Sequence, residues 1–181
     1  MTDWQQDQVN RVGEAIKALR GERSTQWISD VTDELGQRVS RSTITDIEIG
    51  RRKYVALHEI SLIAAALGTT PAVLLTYGRV PDGDVEVLPN RRVDAHTALD
   101  WWGGTPISRF TAAAQGLPSD NPAVAELVNL SRERDKVRVM LAPAFIGGMG
   151  DIDPAVESML REKLSGVVRR IRELGGMVRD G

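Results

Sequence analysis

The sequence predicts a mostly α protein, with a block of five short helices at the N-terminus and a helical hairpin at the C-terminus. Three observations predict it. Apolar residues in the first third recur at steps of three and four. Polar capping residues and glycines punctuate them at helical lengths. Residues 121–181 hold two long amphipathic stretches around a glycine-rich connection.

In chain order, Val9, Val12, Ile16 and Leu19 put one apolar stripe on a first helix. Ser24 and Thr25 are cap candidates for a second, which buries Trp27, Ile28, Val31 and Leu35 and ends at Gly36. A third begins at Ser40 and stops at Gly50. After the basic run Arg51, Arg52, Lys53, a fourth carries Leu57, Ile60, Ile63, Ala64 and Leu67, and a fifth opens with Thr70 as cap and Pro71 at its first position. Turn residues from Val80 to Gly83 set the expected domain boundary, giving a first domain over 1–78. Residues 79–120 read as a linker or strap, with either a short strand or an extended strap from Asp84 to Leu88, ended by Pro89, and short helices over His96 to Trp102 and Ser108 to Gly116. Residues 121–181 read as the hairpin, one helix from Asn121 and Pro122 to about Leu141 and another from Asp153 and Pro154, joined by Gly147 to Gly150.

Composition narrows the function. The 181 residues include no cysteine and only two histidines, which excludes disulfides, iron–sulfur clusters and thiolate zinc sites. No apolar run approaches the roughly 20 residues of a membrane span, and Met1 to Gln8 lacks a basic then apolar signal layout, so a cytoplasmic protein without a membrane partner is expected. Basic and acidic residues number 23 and 25, and neither half of the chain is basic. Any attraction to nucleic acid must therefore be local, resting on a few contacts per protomer.

The segment from Thr25 to Lys53 has the layout that a helix-turn-helix needs: a bracing helix, a tight turn, and a second helix with its outer face free for a DNA major groove. On the third helix Ile44, Ile47 and Glu48 fall on one side, while Ser42, Thr45 and Asp46 fall on the other. Arg41 lies in the first turn, where a long guanidinium reaches base edges or phosphate, and Ser40 caps the exposed amides. Asp46 would face DNA only by accepting from cytosine N4, and otherwise stands by.

Gln26, Val39, Ser40, Ile44, Thr45, Ile47, Glu48, Gly50 and Arg52, the Ile- and Ala-rich fourth helix and the Thr70, Pro71 start of the fifth resemble the Cro and lambda-repressor-like, or xenobiotic-response-element, helix-turn-helix family. The resemblance covers about residues 9 to 77. It implies a five-helix DNA-binding domain in which Arg41, Ser42, Thr45 and Asp46 face bases. It also implies that Thr25, Gln26, Ser40, Thr43, Arg51, Arg52 and Lys53 meet the phosphate backbone, and that Arg20 pairs with Glu48 as a fold-stabilising contact. The stretch from Gln26 to Val39 is two or three residues longer than the family's usual form, and Ile49 stands where Asn is common.

The second half shows no catalytic layout. It has no phosphate-binding loop, no dinucleotide fingerprint around Gly148 and Gly150, and neither Ala-Gly nor Cys-Gly for a self-cleaving repressor. An enzyme, a cofactor and a bound metal are therefore not expected. Trp101 and Trp102 read as core or interface anchors, and Ser131 to Lys136 as a solvated face or an inter-subunit seam. A two-helix hairpin buries a thin core, so a homodimer through the C-terminal helices is expected. The functional expectation is a sequence-specific double-stranded DNA-binding regulator, most simply a repressor acting by operator occlusion, of a kind found in phage immunity repressors and plasmid regulators. The alternative is an antitoxin-like or adaptor protein whose C-terminal helices bind a protein partner.

Overall fold

The computed structural model describes residues 4–105, 107, 109–118, 121–146 and 153–179, with side chains excepted at 109–111 and 143–146. These residues are mostly helical and fall into two compact units, Met1–Gly103 with Ala114–Leu117, and Gly104–Ala113 with Pro118–Gly181.

The first unit opens with α1 (Trp4–Arg20), α2 (Thr25–Glu34), α3 (Arg41–Glu48), α4 (Leu57–Ala66) and α5 (Pro71–Leu75). Their apolar stripes converge on one core that includes Val12, Ile16, Ile28, Ile44, Ile47, Ile63 and Leu74. Each helix after the first begins where its sequence supplies a cap. The Ser24, Ser40 and Thr70 side chains accept from the third backbone amide beyond them. Ala56 has no such oxygen, and the Glu59 carboxylate instead turns back to accept from the Ala56 amide at 2.9 Å. Gly13 lets α1 and α3 touch, because a Cβ there would lie 2.5 Å from the Ile47 carbonyl oxygen.

This unit does not stop at 78. Strands β1 (Asp84–Leu88) and β2 (Arg91–Asp94) form an antiparallel hairpin with Val85 opposite Val93 and a register irregularity between Glu86 and Leu88. Helix α6 (Ala95–Trp102) follows, capped by Asp94. The Trp4 indole donates to the Glu86 carbonyl at 2.9 Å, and the His96 amide donates to the Pro81 carbonyl at 3.0 Å. Val85, Val87, Val93, Ala95 and Ala98 are buried. The Val80 to Gly83 cluster is thus a turn inside a continuous unit, because the apolar side of the hairpin needs cover that a free strap would lack. At Asp84 to Leu88 the strand forms rather than the extended strap, and Arg91 to Asp94, read as strap, is its partner.

The second unit contains α8 (Pro122–Ile146) and α9 (Pro154–Glu173), and α7 (Arg109–Ala114) lies where the two units divide. Helices α8 and α9 run antiparallel, as the pairs Glu126–Arg170 at 2.7 Å and Glu133–Lys163 at 2.8 Å show. Between them Val137, Leu141 and Leu160 are buried, with Leu164 packed against them. Helix α8 runs five residues past the expected end at Leu141. Ser108, Gly147 and Gly150, expected to start a helix and to join the hairpin, lie outside the described residues. Among the described residues no helix is long and apolar enough to cross a membrane, and no group of three or more acidic, His or Cys side chains is placed to hold a metal ion.

Candidate nucleic-acid interface

Helix α3 has a buried side and an open side. Ile44 and Ile47 are fully buried, and Glu48 faces inward to accept two hydrogen bonds from Arg20, at 2.7 and 3.2 Å. That bond raises the Arg20 guanidinium above its ordinary value, because Glu48 favours its charged form. The expected pair therefore forms, and it fixes α3 against the end of α1. Arg20 also donates to the Gly21 and Arg23 carbonyls, so the corner after α1 depends on the same side chain.

Arg41 and Ser42 are exposed, while Thr43, Thr45 and Asp46 are half-buried. Ser40 is hydrogen-bonded to the hydroxyls of Ser42 and Thr43 at 2.8 and 2.9 Å, a cluster that fixes the first turn of α3. Thr45 leans toward α2, its hydroxyl donating to that of Thr25 at 3.4 Å. Asp46 accepts from Arg51 at 3.0 Å, so the carboxylate on this face is neutralised from within the chain. The residues expected to face bases thus share one helix, but only Arg41 and Ser42 are exposed, and Ser42 is tied to Ser40.

The residues expected at the DNA backbone are less uniform. The Gln26 amide donates to Asp30 at 2.8 Å, and Thr25 is half-buried. Arg51 and Lys53 are exposed. Arg52 is turned inward, its Nη2 3.1 Å from both oxygens of Glu59, a buried carboxylate. Arg52 is therefore a structural cation, because Glu59 buried without it would be an uncompensated charge. The carbonyls of Gly50 and Arg52 accept from Gln6 of α1 at 3.0 and 3.4 Å, which ties the basic loop to α1. Gly50 is required there: its φ is +67°, and a Cβ would lie 2.8 Å from Asn10 Oδ1.

Sequence reasoning missed Arg38. It donates to Asp30 at 3.1 Å and to Asp33 at 2.8 Å, and those two carboxylates raise its guanidinium above the ordinary value. Beside it the buried Thr32 hydroxyl accepts the Val39 amide at 2.9 Å. These contacts hold the long α2–α3 connection in one conformation. The signal was an Arg five residues after an Asp and eight after another across a glycine, which no periodicity rule captures.

Comparison with protein-family models, with curated proteins and with solved structures finds no match to this chain.

Proposed function

We propose that the protein is a sequence-specific double-stranded DNA-binding regulator that uses α2 and α3 as a helix-turn-helix of the Cro and lambda-repressor-like type. The observation that carries the reading is the two-sidedness of α3: isoleucines and a paired Glu48 below, Arg41 and a hydroxyl cluster above, at a capped N-terminus. Such a surface suits close groove approach, with Arg41 able to bond guanine O6 and N7 in bidentate fashion. Internal pairing of Asp46 removes the repulsion that a bare carboxylate would meet from phosphate. Arg51 and Lys53 are the backbone contacts on this reading, and Arg52 supports the loop that carries them. The simplest regulatory outcome is repression by occlusion.

Two recognition helices about 34 Å apart would read an inverted repeat if the protein dimerises. Exposed Val139, Met140, Val156 and Met159 on the hairpin favour a partner for that unit, either a second copy or, on the adaptor reading, another protein. Selection of bound duplexes from a random pool tests the whole proposal. A consensus of two symmetric half-sites is expected, and recovery of no enriched sequence would overturn it. Light scattering on the purified chain separates the two partner readings, since a homodimer favours the regulator and a fixed-ratio complex favours the adaptor.

A further inference from the structure

One side of α1 meets the β-hairpin across a cleft of about 380 Å³. On α1, Asp7, Arg11 and Glu14 step by four and three and so share one face, giving a wall of alternating charge. The opposite wall carries Arg79, Asp84 and the Glu86–Arg92 pair, whose closest approach is 3.7 Å.

Apart from Glu86 and Arg92, these charges are close enough to act on one another but are not paired. Arg11 is half-buried and donates one bond, to the Leu75 carbonyl at 3.0 Å. Its guanidinium is lowered from the ordinary value first by desolvation and then by Arg79, with Asp7 and Glu14 acting in the opposite direction. Among the described residues, neither Arg11 nor Arg79 makes an ion pair, and the side chains of Asp7, Glu14 and Asp84 have no hydrogen-bonding or ion-pair partner. Exposed charges gain little by pairing with one another, so these side chains keep their hydrogen-bonding capacity for a molecule that enters the space. Two cations and three carboxylates thus border an open polar space. A pure anion would face the carboxylates, and a pure cation the guanidiniums. A molecule carrying both signs a few ångströms apart satisfies both walls.

We infer that this cleft is a binding site for a small zwitterion of the α-amino acid class, its carboxylate held by Arg11 and Arg79 and its ammonium by Asp84 with Asp7 or Glu14. The volume lies at the small end of ligand sites, as such a molecule requires. Occupancy would be felt at α3 through α1, because Asn10 lines the cleft and its side chain also lies against Gly50, just beyond the end of α3. The site stands independently of the DNA reading, and its test contains no DNA.

The test is calorimetric titration of the full chain with each of the twenty free α-amino acids, with acetate and methylamine as the two ionic halves. At least one amino acid should bind, and both halves should bind far more weakly. Arg79→Gln and Asp84→Asn alter exposed side chains and should leave the circular dichroism unchanged, yet each should weaken binding about tenfold or more, as loss of a charge-assisted contact does. No binding by any of the twenty, an ionic half that binds as tightly, or binding that survives either substitution with a smaller loss would overturn the assignment.

Discussion

The two units of the chain are both helical, yet they bury themselves differently. In the first, five helices enclose one core, the hairpin and α6 bury further apolar side chains, and the charges next to the core, Glu48 and Glu59, each have an arginine. In the second, two helices meet along a thin line of Val137, Leu141, Leu160, Val167 and Ile171, flanked by ion pairs between exposed side chains. The contrast teaches that amphipathic period alone does not make a core, because each helix also needs neighbours on both flanks of its stripe. The first unit supplies its own neighbours. The second leaves apolar side chains such as Val139 at 72% exposure, and this is the physical basis for seeking a partner there.

Substitutions in the two interiors sharpen this comparison most. Ile47→Ala should cost about 4 kcal/mol, since the residue is fully buried between α1 and α3 where Gly13 leaves no room to relax. All four tryptophans lie in the first unit, so their fluorescence during denaturant unfolding measures it selectively. Leu160→Ala should cost nearer 2 kcal/mol by far-ultraviolet circular dichroism, because a thin interface can close on the gap. A Leu160→Ala loss as large as that of Ile47→Ala would mean the hairpin is covered by more than its own chain.

Removing the carboxylate that pairs with Arg20 by Glu48→Ala should cost about 2 kcal/mol, as loss of charge-assisted hydrogen bonds does. Exposed pairs on the hairpin follow the opposite rule: Lys163→Ala should change stability by under about 1 kcal/mol. Comparable losses for these two variants would erase the distinction between the units.

A smaller effect concerns the α6 cap. The Thr97 amide and hydroxyl both donate to Asp94, at 2.8 Å each, and the amide bond is the leading reason the carboxyl lies below its ordinary value. Asp94→Ala should therefore cost about 1 kcal/mol near neutral pH. The folded value is depressed, so this contribution is present above the ordinary aspartate value of about 3.9 and is lost as pH falls through the lower folded one. Melting temperatures of wild type and variant should converge in acid. A gap that stays constant to the onset of acid unfolding would show that the cap acts without its charge.

Arg51 and Arg52 provide the finest comparison. Arg52→Ala should destabilise the first unit by leaving Glu59 buried and unpaired, whereas Arg51→Ala should leave stability within about 0.5 kcal/mol. On the proposed DNA reading Arg51→Ala should also reduce the salt slope of binding by about one unit. An unchanged slope would place Arg51 away from phosphate.

The helical plan was legible because it rests on strong local signals: Ser24, Ser40 and Thr70 cap, Gly36 and Gly50 terminate, and apolar residues step at helical period. The Arg20–Glu48 pair was legible only through the family resemblance, since 28 residues separate the two partners. What could not be read depends on tertiary contacts, either between distant residues or across turns. Trp4 anchoring Glu86 spans 82 residues, whereas Arg52 turning to Glu59 and Arg38 reaching back to Asp30 are local but cross a turn whose path sets which side chains meet, and helical periodicity does not give that path. The basic run Arg51 to Lys53 reads as a uniform patch for the same reason, although its middle member is committed inward. Gly13 carried a signal that was passed over: a glycine in mid-helix marks a close approach.

The central claim is that the outer face of α3 reads duplex DNA, and fluorescence anisotropy of a labelled selected duplex tests it most directly, comparing wild type with Arg41→Ala at low ionic strength. Tight wild-type binding is expected, and Arg41→Ala should weaken it by about 1 to 3 kcal/mol on the selected site, with relaxed preference at one base position. Wild-type protein that leaves the duplex unbound at low salt, or an Arg41→Ala variant that binds the site as tightly as wild type, would contradict it.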